Sequence, residues 1–163
     1  MSRPAQHEHT QLEIDPEEAL FSQVDGWVAV FHENERPLLG LAGRLDWRFR
    51  GEISKYLKAG AISGKLGECA YIPLSLPQQP NPIRHLILIG AGPSPDDGND
   101  GRNDGRRREL ADLTPESVKP LIKNLQSLGL KKVGVSQSDF GGIDQVNSLF
   151  HSDLQGVSLW ITP

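Results

Sequence analysis

Apolar runs in the second half of the chain alternate between two periods, and this alternation constrains the fold more than any other feature. Ile83 to Ile89 reads Ile, Arg, His, Leu, Ile, Leu, Ile, the clearest strand signal present. After a long polar stretch, Val118, Leu121, Ile122, Leu125 and Leu128 recur at the helical period and end at Gly129. Lys132 to Ser136 is a short strand, Ile143, Val146, Leu149 and Phe150 mark a short amphipathic helix, and Val157 to Ile161 is a final strand. A chain that alternates in this way builds an α/β domain of three layers, with helices covering a mixed, largely parallel sheet.

The first half is consistent with the same plan. Gln11 to Ile14 is a weak strand candidate, and Trp27 to His32 is a stronger one whose near-continuous apolarity predicts burial on both faces. From Leu45 the spacing of Leu45, Phe49, Ile53, Tyr56 and Leu57 predicts one helical face, stopped by Gly60. Glu68 to Leu74 reads as a strand, joined to Ile83 by a proline-rich connection. At the later helix, Thr114-Pro115 has the form of an N-cap and first-turn proline, while Pro120 predicts either a kinked first turn or a regular start nearer Lys119.

The length of 163 residues sets the domain count at one. Residues 1–11 are expected to form a flexible tail and residues 12–163 a single domain carrying a flexible polar loop at 93–113. Within that loop, Asn99 to Arg102 and Asn103 to Arg106 repeat the same four residues, and the arginines balance the aspartates. A formal net charge of -4 argues against coating nucleic acid through bulk charge. Cys69 is the only cysteine, so no intrachain disulfide forms, which fits a reducing compartment. The polar N-terminus has no apolar core of a secretory or membrane segment, and a cytoplasmic location is the expectation.

Two glycine-bearing segments are the candidates for ligand chemistry. Gly60 to Leu66 resembles a phosphate-binding loop but has one residue too few between its glycines, Leu66 in place of a hydroxyl residue, and a helix before it instead of a strand. Gly90-Ala91-Gly92 follows the best strand, where α/β sheets expose backbone amides to ligands, yet Pro95 stands where a dinucleotide fingerprint needs its third glycine. Ser63, Gly64, Lys65, Gly90, Ala91 and Gly92 are therefore the candidate ligand-binding set. The simpler reading is a helix-to-strand turn and a strand exit. No catalytic residue, metal site or cofactor is expected: His7 and His9 lie in a polar tail, His32 and His85 in strands, and Cys69 in an apolar context.

Leu45 through Leu74, then Ile83 to Gly92 and Ser127 to Ser136, together resemble the N-terminal domain of the leucyl (cytosol) aminopeptidase family, with Ser63 to Glu68 before a strand ending in Pro73-Leu74 as the most specific part. The resemblance runs from about Val24 onward and implies a macro-domain-like α/β/α fold. In that family the metal ions and catalytic residues belong to a separate C-terminal domain, and the chain ends where that domain would start. The diagnostic Asn-Thr-Asp-Ala-Glu-Gly-Arg-Leu motif is also absent. The resemblance thus implies a non-catalytic interaction or oligomerisation module, whose partner is a second copy or another protein. Macro domains of similar fold bind ADP-ribose, so the alternative is a small-ligand binder, for a nucleotide or ADP-ribose, at the C-terminal ends of the strands.

Overall fold

The computed structural model describes residues 16–75, 83–94, 113–150 and 154–163. Its elements follow the chain as α1 (Pro16–Ser22), β1 (Gly26–Glu33), α2 (Gly40–Arg48), α3 (Glu52–Lys58), β2 (Cys69–Leu74), β3 (Arg84–Pro93), α4 (Pro115–Ser127), β4 (Lys132–Ser136), a 3-10 turn (Gln137–Phe140), α5 (Ile143–Phe150) and β5 (Ser158–Thr162). The five strands form one sheet in the order β2-β3-β1-β4-β5. β3, β1, β4 and β5 run parallel, and β2 is an antiparallel edge strand.

Alternation in β1 divides the core into its two layers. Trp27, Ala29 and Phe31 pack with Leu41 and Leu45 of α2 and Ile53 of α3, whereas Val28 and Val30 pack with Val118 and Leu121 of α4 and Val146 of α5. β3 repeats the division, with Leu86 and Leu88 on the first face and Ile87 and Ile89 on the second. A strand buried on both faces needs apolar residues at every position, which is what the continuous run in Trp27 to His32 supplies.

Three differences from the sequence reading have physical causes. The helix expected from Leu45 is two helices, because Arg50 and Gly51 adopt left-handed backbone at φ 56 and 82 and break the chain between Phe49 and Glu52. Gly90 to Gly92 lie inside β3, which continues to Pro93, and not in a loop after it. Helix α1 was not anticipated at all. At α4 the regular helix starts at Pro115 with Thr114 as a capping-box residue, and Pro120 is accommodated within it. The strand expected at 11–14, the tail at 1–11 and residues 95–112 of the polar loop lie outside the described residues.

Candidate functional site

In a sheet of this topology the place for a ligand is the crevice beyond the carboxyl ends of neighbouring strands whose connections leave to opposite faces. β1 exits into α2 and α3 on one face and β4 exits into α5 on the other, so the β1/β4 boundary is that switch point. The two strands pair only at Gly26 with Val133 and Trp27 with Gly134, while β1 stays paired to β3 as far as Glu33. Beyond Trp27 the strands part.

The chain fills most of this opening with its own carboxylates. The buried carboxylate of Asp139 accepts the Leu41 N–H at 3.1 Å, placing a negative charge at the N-terminus of α2 and closing the gap between the 3-10 turn and that helix. Glu35 accepts the N–H of His32 at 2.9 Å and of Leu39 at 3.0 Å, which folds the chain between β1 and α2 back on itself. His32, at the end of β1, has a buried Nδ1 with no hydrogen-bond partner among the described residues.

The residues singled out from the sequence do come together. Gly64 lies against β1 so closely that a Cβ there would stand 2.6 Å from the His32 carbonyl carbon, and the Gly92 N–H donates to the Gly64 carbonyl at 2.9 Å. A Cβ on Gly90 would collide with the Lys65 carbonyl, so glycine is required where the two segments cross. Their amides are nevertheless engaged. Glu68 accepts the N–H groups of Ser63 and Gly64 at 3.0 and 2.7 Å and the Ser63 hydroxyl at 2.9 Å. Burial acts to raise the Glu68 pKa, but these hydrogen bonds, with one from Lys65, outweigh it and hold the carboxyl below its ordinary value. A carboxylate occupies the position that an anion would take. Ala91 is half-buried and packs toward α4 and α5, and Lys65 is exposed.

A second glycine pair has open space before it, although its own amides are engaged: the Gly142 N–H donates to the Gln137 carbonyl at 2.8 Å and the Gly141 N–H to the Ser138 carbonyl at 3.5 Å. Gly141 and Gly142, between the 3-10 turn and α5, have φ of 79 and 126, and a Cβ on either would meet nothing within 4 Å. They border a cleft of about 560 Å³ lined also by Gln137, Ser138, Ile143, Asp144 and Pro163, at the carboxyl ends of β4 and β5. Helix N-termini present unbonded N–H groups and a partial positive charge, so the entry to α5 suits a phosphate or another anion. Ser136 and Ser138 join hydroxyls at 2.8 Å beside it, and the Asp144 carboxylate in the cleft suits a hydroxyl donor such as ribose. The sequence reading missed this turn, although Gly-Gly between a strand and a helix was a visible signal.

Among the described residues, no three or more His, Cys, Asp or Glu are grouped to hold a metal ion, and no helix is long and apolar enough to cross a membrane. Burial pushes the Cys69 thiol up, partly opposed by the Asn124 amide 3.5 Å from its sulfur. His85 stacks against Tyr71 and shares a 2.8 Å hydrogen bond with its hydroxyl.

No protein-family model matches the chain, and no curated protein matches it in sequence. Solved structures do. The macrodomain of Mycobacterium tuberculosis DarG superposes with a TM-score of 0.58 at 18% identity, covering 88% of this chain and 91% of that one. The macrodomain of Thermus aquaticus DarG gives 0.56 at 17% identity, over 86% and 89%. A tomato leucine aminopeptidase aligns over 72% of this chain and 21% of its own at 14% identity, but its TM-score of 0.40 is too low to bear on the fold. The fold is macrodomain-like: a five-stranded mixed sheet between two helical layers.

Proposed function

We propose that this domain binds a nucleotide or ADP-ribose, with the phosphates at the Gly141-Gly142 turn, and that it binds without catalysing a reaction. The observation that carries the reading is the open space before Gly141 and Gly142 at the N-terminus of α5, on a cleft of about 560 Å³ beyond the strand ends. That size falls within the usual ~300 to 1,000 Å³ of small-ligand sites. Two considerations support it. Macro domains bind ADP-ribose, and the amides at Ser63, Gly64 and Leu41 already hold Glu68 and Asp139, whereas the first turn of α5, after Gly142, turns its N–H groups toward the cleft. In this reading Ser63 to Lys65 and Gly90 to Gly92 lie outside the lining of the cleft and do not contact phosphate.

Titration calorimetry with ADP-ribose, ADP and AMP tests the proposal. ADP-ribose and ADP should bind more tightly than AMP, and Gly142→Val, which puts a branched side chain at φ 126 into the space before α5, should weaken ADP-ribose by at least about tenfold. No heat with any of the three at millimolar concentration would sink the idea. The second reading, a docking or oligomerisation module like the aminopeptidase N-terminal domain the sequence resembles, is favoured by one observation: Trp47 is 86% exposed. Size-exclusion chromatography with light scattering separates its self-associating form from a monomer.

A further inference from the structure

The cleft before α5 has a fixed hydrogen-bonding polarity, set one layer beneath its lining. Strands β4 and β5 end side by side with Ser136 paired to Thr162, so Pro163 follows directly beyond the last paired residues. Ser136 is fully buried there, and its hydroxyl donates to the Pro163 carbonyl at 3.0 Å. A serine hydroxyl has one proton and two acceptor lone pairs. Because the Pro163 carbonyl can only accept, it takes the one proton of Ser136. The Ser138 hydroxyl, 2.8 Å away, must then donate to the Ser136 oxygen. Ser138 lines the cleft, and with its proton turned to Ser136 it offers the cleft lone pairs alone.

Two more lining residues bear on this polarity. Asp144, in the first turn of α5, brings a carboxylate, which when ionised accepts and never donates. Gln137 carries an amide with both kinds of group and selects neither. The donors come from the main chain, because the first turn of a helix has N–H groups with no helical carbonyl to meet them. Main-chain donors and side-chain acceptors therefore border one cleft of about 560 Å³. Inorganic phosphate satisfies only the donors and is repelled by Asp144. A phosphate ester whose sugar keeps its hydroxyls satisfies both, and a hydroxyl donating to a carboxylate makes one of the stronger hydrogen bonds. We infer, resting on the nucleotide reading above, that Ser138 and Asp144 select a ribose with free vicinal hydroxyls beside the held phosphate, and that Ser136 is the positioning residue that makes Ser138 an acceptor. A sugar without those hydroxyls leaves both acceptors unpaired, and one phosphorylated there sets like charge against Asp144. Sites built to bond a substrate hydroxyl reject analogues lacking it far more strongly than apolar pockets reject a shape.

Titration calorimetry of the full chain with matched nucleotides tests this selection. ADP should bind at least about tenfold more tightly than dideoxy-ADP, which lacks both ribose hydroxyls, the difference expected for a hydrogen bond to a charged acceptor. AMP carrying a second phosphate on its ribose hydroxyl should bind more weakly than AMP itself. Ser136→Ala frees the Ser138 hydroxyl to rotate and donate, and should cut the preference for ADP over dideoxy-ADP severalfold. Asp144→Asn, at an exposed position, should cut the same preference and let the doubly phosphorylated nucleotide bind more tightly than AMP. If Ser136→Ala fails to fold, Asp144→Asn carries the ratio test. A merely structural role for Ser136 would lower both affinities together and leave their ratio in place, which would overturn its part in the selection. Equal binding of ADP and dideoxy-ADP to the unaltered chain would overturn the selection and leave nucleotide binding standing. Heat with ADP-ribose and none with ADP, which carries a phosphate-linked ribose, would overturn it too. No heat with ADP-ribose, ADP or AMP would overturn the nucleotide reading itself, and the selection with it.

Discussion

Carboxylates bound to backbone N–H groups recur around this sheet, and they tie stability to pH. Asp25 accepts the Lys132 and Lys131 N–H groups at 2.8 and 2.9 Å, and the Lys132 bond chiefly holds its pKa below the ordinary value against the opposing effect of burial. Glu68 is held low by Ser63 and Gly64. A group whose pKa is lower folded than unfolded contributes fully above its unfolded pKa, about 4, and loses that contribution as pH falls through the folded value. The melting temperature should therefore drop between about pH 5 and pH 3, and the Asp25→Asn/Glu68→Gln double variant should drop less steeply over that window. At neutral pH, Glu68→Ala leaves the Ser63 and Gly64 amides without their acceptor and should cost about 1 to 3 kcal/mol in chemical denaturation. These pairings were not readable in the sequence. Glu68 is five residues from Ser63, but Asp139 and Leu41 are joined only by the fold.

Elements with a strong periodic signal were legible, and those set by one backbone angle were not. β4 and α5 fall where the sequence puts them, and α4 begins at its Thr114-Pro115 signature. The break between α2 and α3 was hidden because Phe49 and Ile53 both face the same core, so the apolar spacing runs through a turn that only Arg50 and Gly51 define. Arg50 is a non-glycine residue at φ 56. Arg50→Gly should leave the protein as stable or raise it by up to about 1 kcal/mol, whereas Gly51→Ala, at φ 82, should lower it by about 1 kcal/mol, both read by thermal melts. Pro120 sits inside α4 with an exposed side chain and no N–H to give Glu116. Pro120→Ala should stabilise the domain by about 1 to 3 kcal/mol. α1 had its signal too: Pro16 followed by Glu17 and Glu18 is a helix start, but seven residues are too few to show a period.

For the whole molecule, alternation of strand and helix gave the layered fold, and the macrodomain structures superpose on it at 17 and 18% identity. Position within that fold was harder to read, because the strongest strand drew attention to the glycines that follow it. Gly90 and Gly64 are glycines because two backbones cross there, a packing reason, while Gly141 and Gly142 have open space before them. Sequence alone does not separate these two uses of glycine. The fold does, by showing what a Cβ would meet. We propose that a phosphate-bearing ligand is held at the N-terminus of α5, beside the second pair, and not at the first. Amide chemical-shift mapping of the ¹⁵N-labelled domain during titration with ADP-ribose tests it most directly. The largest saturable shifts should fall at Gly141, Gly142, Ile143 and Asp144, with Ser63 to Lys65 nearly unmoved; shifts centred on Ser63 to Lys65 and Gly90 to Gly92, or no shifts at all, would contradict this placement.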